Sequence, residues 1–174
     1  MIVFINGAFG VGKTTLAELL LARIENSLLF DAEEVGAFLS HVVQPIVTFD
    51  DFQDLPMWRT LTIETAKQLK QSYGCTLIMP MTIWYQPYFE EVMAGLRQSE
   101  PHLYHFCLTA SAETIAARLR QRNYLPETHA FCYEHIEPCV AAFKAPFFAK
   151  QLDAEEKSPE ELAEEILAYI RNHQ

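Results

Sequence analysis

A chain of 174 residues, half of them hydrophobic, can bury one sizeable core, and no shift in composition marks a second, so a single domain over residues 1–174 is expected. The net charge of -10, from 23 acids against 13 bases, argues against a nucleic-acid partner, which needs clustered Lys and Arg to neutralise phosphates. The N-terminal apolar run is too short for a secretory signal and no run approaches a bilayer span, so no membrane span is expected; Cys75, Cys107, Cys132 and Cys139, irregularly placed, read as reduced thiols of a cytoplasmic protein.

The first element is the apolar run Ile2 to Ile5, a strand that passes directly into NGAFGVGKTT. Within it Gly7, Gly12, Lys13 and Thr14 match G-x-x-x-x-G-K-[ST], and Leu16, Leu20 and Ile24 follow at helical spacing. Strand, loop and helix stand in the order a phosphate loop requires. Its residues Gly7, Phe9, Gly10, Val11 and Gly12 turn backbone N–H groups towards an anion, and the helix N-terminus adds partial positive charge at the same point. Lys13 is placed to reach the β- and γ-phosphates, Thr14 to put its hydroxyl on Mg²⁺, and Thr15 to meet the α-phosphate. ATP and Mg²⁺ are the expected cofactors.

Leu28 to Phe30 form the next strand, and Asp31 follows it at the sheet edge where parallel sheets gather ligands. Asp31 either accepts the proton of an acceptor hydroxyl or only caps the helix that begins at Ala32; Glu33 and Glu34 read as first-turn acids favoured by the helix dipole. Gln44 to Pro56 is turn-rich and reads as a functional loop. Arg59 then lies beside Trp58 in a helical stretch. A strand at Thr76 to Met79 leads into MPMTIWYQPYF, whose Thr82, Trp84, Tyr85 and Tyr88 project over the same edge. Aromatics with one cation suit a ring-bearing, hydroxylated acceptor, so Asp31, Trp58, Arg59, Thr82 and Trp84 are the candidate substrate contacts; the alternative for Trp58 and Trp84 is core packing.

After a helix marked by Phe89, Val92, Met93 and Leu96 comes the strand Leu103 to Leu108, then a helix starting after Ser111 that carries Arg118, Arg120 and Arg122. Arg118 and Arg122 share a face by i, i+4 spacing and are the candidate lid cations over the phosphates; the alternative is a solvated helix end, where Arg suits the macrodipole. Asn123 to Thr128 reads as a lid loop. His129, Cys132, His135 and Cys139 would crowd one side of a continuous helix, but Pro138 interrupts it and one helix cannot wrap four ligands around zinc, so packing is expected there. Phe147 to Leu152 is the last strand. Ser158, Pro159 and Glu161 then spell a capping box and an N1 proline, placing the final helix at Pro159 to Asn172.

Strict alternation of strand and helix implies an α/β fold with a parallel sheet and helices on both faces. The guanine-reading N-K-x-D of a GTPase and the L-S-G-G-Q of a transporter ATPase are both missing from the sequence. What remains needs a donor loop, a metal, a carboxylate at the acceptor and mobile arginines, which is the inventory of a small-molecule kinase.

INGAFGVGKT, DDFQDLPMWR, MPMTIWYQPYF and LTASAETIAARLRQR together resemble the tunicamycin-resistance ATP-binding family, relatives of shikimate- and chloramphenicol-type kinases, over Met1 to about Phe148. The resemblance implies the three-layer P-loop fold with a five-stranded parallel sheet in order 2-3-1-4-5 and a small lid. It also implies ATP as donor, a uridine-containing antibiotic as the associated compound, and acceptor or lid roles for Asp31, Arg59 and Arg118. MPMTI replaces the glycine-rich turn of shikimate-type enzymes, which counts against shikimate. Three functions follow from this reading: transfer to a small-molecule hydroxyl with Lys13, Asp31, Arg118 and Arg122 as catalytic groups, drug sequestration without chemistry, and an ATP-driven switch.

Overall fold

The computed structural model of the protein describes residues 1–122 and 125–173. Among these residues five strands, β1 (Ile2–Gly7), β2 (Ser27–Leu29), β3 (Thr76–Pro80), β4 (Leu103–Thr109) and β5 (Gln151–Asp153), form one sheet in the order 2-3-1-4-5. Every pairing is parallel, with Ile2 opposite Leu77 on one side and Leu103 on the other. Among the described residues eight helices surround it: α1 (Lys13–Arg23), α2 (Ala32–Val43), α3 (Pro56–Tyr73), α4 (Gln86–Ser99), α5 (Ala112–Arg120), α6 (Pro126–Glu134), α7 (Ile136–Ala142) and α8 (Pro159–Asn172).

The two-residue period of β1 divides the core. Ile2 and Phe4 face one layer, packed with side chains of α2 to α7, whereas Val3 and Ile5 face the other, packed with α1 and α8. A strand buried on both faces reads as a continuous apolar run, and β1 does. Because all five strands run the same way, their C-terminal ends, and the loops that leave them, collect at one edge.

The ends of elements follow local chemistry. Ser158 accepts the Glu161 N–H while the Glu161 carboxylate accepts the Ser158 N–H, starting α8 at Pro159 as the capping box requires. Ser111 caps α5 in the same manner, accepting from Thr114. The last strand differs from expectation. Pro146–Phe148 is a 3₁₀ turn whose Phe148 ring is buried against Phe89 and Phe143, so β5 begins only at Gln151. The expected lid loop differs too: Pro126 to Thr128 open α6, and Asn123 and Tyr124 lie outside the described residues. Helix α6 ends at Glu134 and α7 starts at Ile136, so the break falls at His135, with Pro138 accommodated in the first turn of α7.

Candidate functional site

The loop after β1 is held from below by Asn6. Its buried side-chain oxygen accepts the N–H groups of Gly7 and Ile83 at 2.9 and 3.0 Å, and its amide nitrogen donates to the Ile83 carbonyl at 3.0 Å. The segment after β3 is thereby fastened to the loop after β1. A β-carbon at Gly7, where φ is +145°, would stand 2.7 Å from the Leu108 carbonyl, and one at Gly10, where φ is +80°, would stand 2.8 Å from Leu119. Helix α1 begins at Lys13, so the first-turn N–H groups, which have no intrahelical acceptor, open towards the concave side of the loop.

Lys13 is buried, and its ammonium donates to the carbonyls of Gly7 and Ala8, each at 2.9 Å, and to the Thr82 hydroxyl at 2.7 Å. Burial pulls its pKa down to about 8, partly opposed by the nearby Glu33 carboxylate. Thr82 is fully buried and donates its own proton to the Gly7 carbonyl at 2.9 Å. It therefore orders the loop and the lysine and lines none of the cavities described below.

Three cavities lie at this edge, two of them lined by the loop and one adjoining the first. The first, of about 220 Å³, lies over Phe9, Gly10, Lys13 and Thr14, with Glu33, Asp51 and Arg122 in its wall. The second, of about 710 Å³, is an open cleft that shares Asp51, Gln53 and Phe131 with the first and is walled by Trp84, Tyr85 and Tyr88. The third, of about 230 Å³, runs along Gly12, Thr15, Arg118, Arg122 and Lys157 on the far side of the loop. Arg118 crosses it, donating to the Val11 carbonyl at 2.9 Å and the Ala154 carbonyl at 2.8 Å, while Arg122 belongs to both the first cavity and the third. Arg120 is exposed on the other side, as the i, i+4 argument requires.

The carboxylates in the wall of the first cavity are Glu33 and Asp51. Asp31 accepts the Glu33 N–H at 2.9 Å as the N-cap of α2 and lines none of the three cavities. The first turn of α2 instead carries Glu33 into the cavity wall, where desolvation raises its pKa against the pull of Lys13. Asp51, at the tip of the turn-rich loop, is also raised by burial, against the Gln53 N–H that its carboxylate accepts at 2.8 Å. Gln53 is buried and ties that loop to the post-β3 segment by donating to the Thr82 carbonyl at 2.8 Å.

Two further expected substrate contacts, Trp58 and Arg59, also line none of the three cavities. The Trp58 indole is fully buried, donates to the Ala32 carbonyl at 2.9 Å and packs on Phe52. Arg59 donates to Glu91 and to the Gln53 carbonyl, each at 2.6 Å, and lies 4.2 Å from the Tyr88 ring centre, so its guanidinium braces the loop from behind instead of facing a cavity. Trp84 alone of the two tryptophans reaches the cleft, packed against His135. Among the described residues no group of three or more His, Cys, Asp or Glu is placed to hold a metal. Cys132 and Cys139 are buried in the core, and the rings of His129 and His135 contact the carbonyls of Leu119 and Phe131. No helix among the described residues is long and apolar enough to cross a membrane.

The arrangement joins an anion cradle to an aromatic cleft through one carboxylate. Compared with known proteins, residues 3–137 match the family model described as AAA domain. The chain superposes on the tunicamycin resistance protein of Deinococcus radiodurans with a TM-score of 0.80 and 25% identity, covering 97% of this chain and 94% of that one. A sugar kinase from Janibacter superposes at 0.68, with 21% identity over 98% and 94% of the two chains. A gluconokinase from Sinorhizobium meliloti superposes at 0.64, with 16% identity over 98% and 91%. The likeness to tunicamycin resistance read from the sequence is thus present in the structure, and the two kinases, under a quarter identical, extend it to the fold alone. No curated protein matches the chain.

Proposed function

The chain belongs to the AAA domain family, and on that premise we propose that it is an ATP- and Mg²⁺-dependent phosphotransferase acting on a hydroxyl of a small molecule. A nucleoside antibiotic such as tunicamycin is the acceptor suggested by the name of the Deinococcus radiodurans protein. The observation that carries the reading is the position of Asp51, in the wall of both the phosphate-loop cavity and the aromatic cleft. A donor and an acceptor seated in the two cavities meet there.

In this account the loop amides and Lys13 bind the β- and γ-phosphates, Thr15 meets the α-phosphate, and the rest of the nucleotide lies in the crevice of Arg118 and Lys157. The donor set fits Mg²⁺, a hard cation that takes oxygen ligands: the Thr14 hydroxyl would hold it with Glu33 nearby, and it would neutralise phosphate charge. The acceptor oxygen forms its bond to the γ-phosphorus as the bond from that phosphorus to the β–γ bridging oxygen breaks, and ADP leaves with that electron pair. The hydroxyl proton passes to Asp51, whose desolvated carboxylate is a better base than an ordinary one. Arg122, in the wall of both the donor cavity and the crevice behind it, offsets the charge that spreads over the transferred group.

The test is to incubate the protein with Mg-ATP and nucleosides, sugars and antibiotics including tunicamycin, following ADP release and added phosphoryl mass. A phosphorylated acceptor supports the reading. Tight tunicamycin binding with no ADP would replace it with sequestration.

A further inference from the structure

We infer that the aromatic cleft takes a neutral or cationic ring-bearing polyhydroxy compound and turns away anionic acceptors, an inference that rests on the phosphotransferase reading for calling the cleft an acceptor site. Its lining is acidic where its neighbour's is balanced, since Glu33 and Asp51 offset the two cations of the phosphate-loop cavity. The phosphate-loop cavity holds Lys13 and Arg122, whereas the cleft carries the carboxylates of Asp50, Asp51, Asp54 and Glu134. Among the described residues that line it, none is Lys or Arg; His135 is its one nitrogen base.

The cation packed on the Tyr88 wall of the cleft is accounted for. Arg59 lies behind the Tyr88 ring, bonded to Glu91 and to the Gln53 carbonyl at 2.6 Å each, so reaching an anion in the cleft would cost it both bonds. The Tyr88 hydroxyl is likewise directed to Asp54, to which it donates at 3.0 Å. A second anion placed in the cleft would face these carboxylates within roughly a Debye length, about 8 Å at physiological salt, where like charges are only partly screened from one another. Hydroxyl and ammonium groups are what carboxylates accept from, and a flat ring finds Trp84 and Tyr85. The volume of about 710 Å³ suits a disaccharide- or nucleoside-sized molecule. The same polarity keeps the donor's triphosphate out of the acceptor side, so Asp51 marks a boundary between an anion site and a cation-tolerant one.

The experiment uses protein saturated with Mg²⁺ and a non-hydrolysable ATP analogue, titrated calorimetrically with uridine, uridine 5′-monophosphate and the polycationic amino-sugar antibiotic kanamycin. Trp84 fluorescence in a Trp58→Phe background is a second readout, and ADP release from Mg-ATP is followed in parallel. The expected result is that uridine or kanamycin binds at least 10-fold tighter than the monophosphate, about 1.4 kcal/mol, and that Glu134→Lys, on the exposed rim, narrows the ratio. Equal or tighter binding of the monophosphate, or no binding by any of the three at millimolar concentration, overturns the inference. Selective binding without ADP release leaves the charge preference standing and removes the kinase reading. Turnover of the monophosphate at the rate of uridine does the opposite.

Discussion

The Lys13 ammonium stands 2.7 Å from the Thr82 hydroxyl, joining the start of α1 to the segment after β3 across 69 residues of chain. Thr82 passes its own proton to the Gly7 carbonyl, so one hydroxyl fixes the lysine and closes the loop. Thr82→Val keeps the shape and removes both bonds. It should cost about 1–3 kcal/mol in urea denaturation, because it leaves a buried carbonyl and a buried ammonium each short of a partner. An unchanged midpoint would show that the hydroxyl carries no net stabilisation.

The depressed pKa of Lys13 sets a pH dependence. Below about 8 the ammonium is charged in both folded and unfolded states; between about 8 and 10.5 the unfolded state holds more protons, so this residue makes stability rise with pH across that window. Buried Cys107 and Cys139, pushed up to about 12, act in the opposite sense above 9. Stability of wild type minus that of Lys13→Met isolates the lysine contribution. The difference should climb from pH 8 to 10, and a flat difference would contradict the burial argument.

At the acid end His105 is the sensitive group. Burial among Phe4, Phe89 and neighbouring rings pulls its pKa to about 4, although its Nδ1 contacts the Ala149 carbonyl at 2.7 Å. The unfolded chain takes up the proton first, so stability falls as pH drops from 6.5 through 4, by about 3 kcal/mol at most. His105→Gln should flatten that part of the profile. Glu100, held down to about 2 by the His102 N–H, Lys70 and the N-terminal ammonium against its own desolvation, keeps a separate loss between 4.5 and 2.

Asp31 caps α2, and the phosphotransferase reading makes Asp51 the base. Asp51→Asn should lower transfer to the acceptor by about 10²–10⁴ while Mg-ATP still binds. Asp31→Asn should leave both almost unchanged, since Asn also caps helices, and Asp31→Ala should cost about 1 kcal/mol of stability. Steady-state rates for the three variants decide it, and a collapse of transfer in Asp31→Asn would restore Asp31 as the base.

The phosphate loop and the last helix were legible because their signals are local. G-x-x-x-x-G-K-T after an apolar strand and S-P-x-E before an amphipathic run each demand their backbone within a few residues. That Asp51 and Glu33 line the phosphate-loop cavity while Asp31 does not was hidden, because the loop of Asp51 is placed by Gln53, which bonds to the Thr82 carbonyl 29 residues away. Arg59 read as a substrate cation for want of Glu91, its partner 32 residues away. The Phe147 to Leu152 run concealed a 3₁₀ turn, since aromatics that would suit a strand equally suit the core beneath one. Asn6 and Gln53, buried polar side chains whose bonds assemble the site, carry no pattern that separates them from ordinary loop residues.

The most direct measurement is calorimetric titration of the protein with ATP in the presence of magnesium, beside Lys13→Ala and Gly7→Ala. The account predicts saturable binding at one site that weakens at least 10-fold in Lys13→Ala and is lost, with stability, in Gly7→Ala, whose new methyl would press on the Leu108 carbonyl. Absence of binding by the intact protein to any nucleoside triphosphate with magnesium would contradict it.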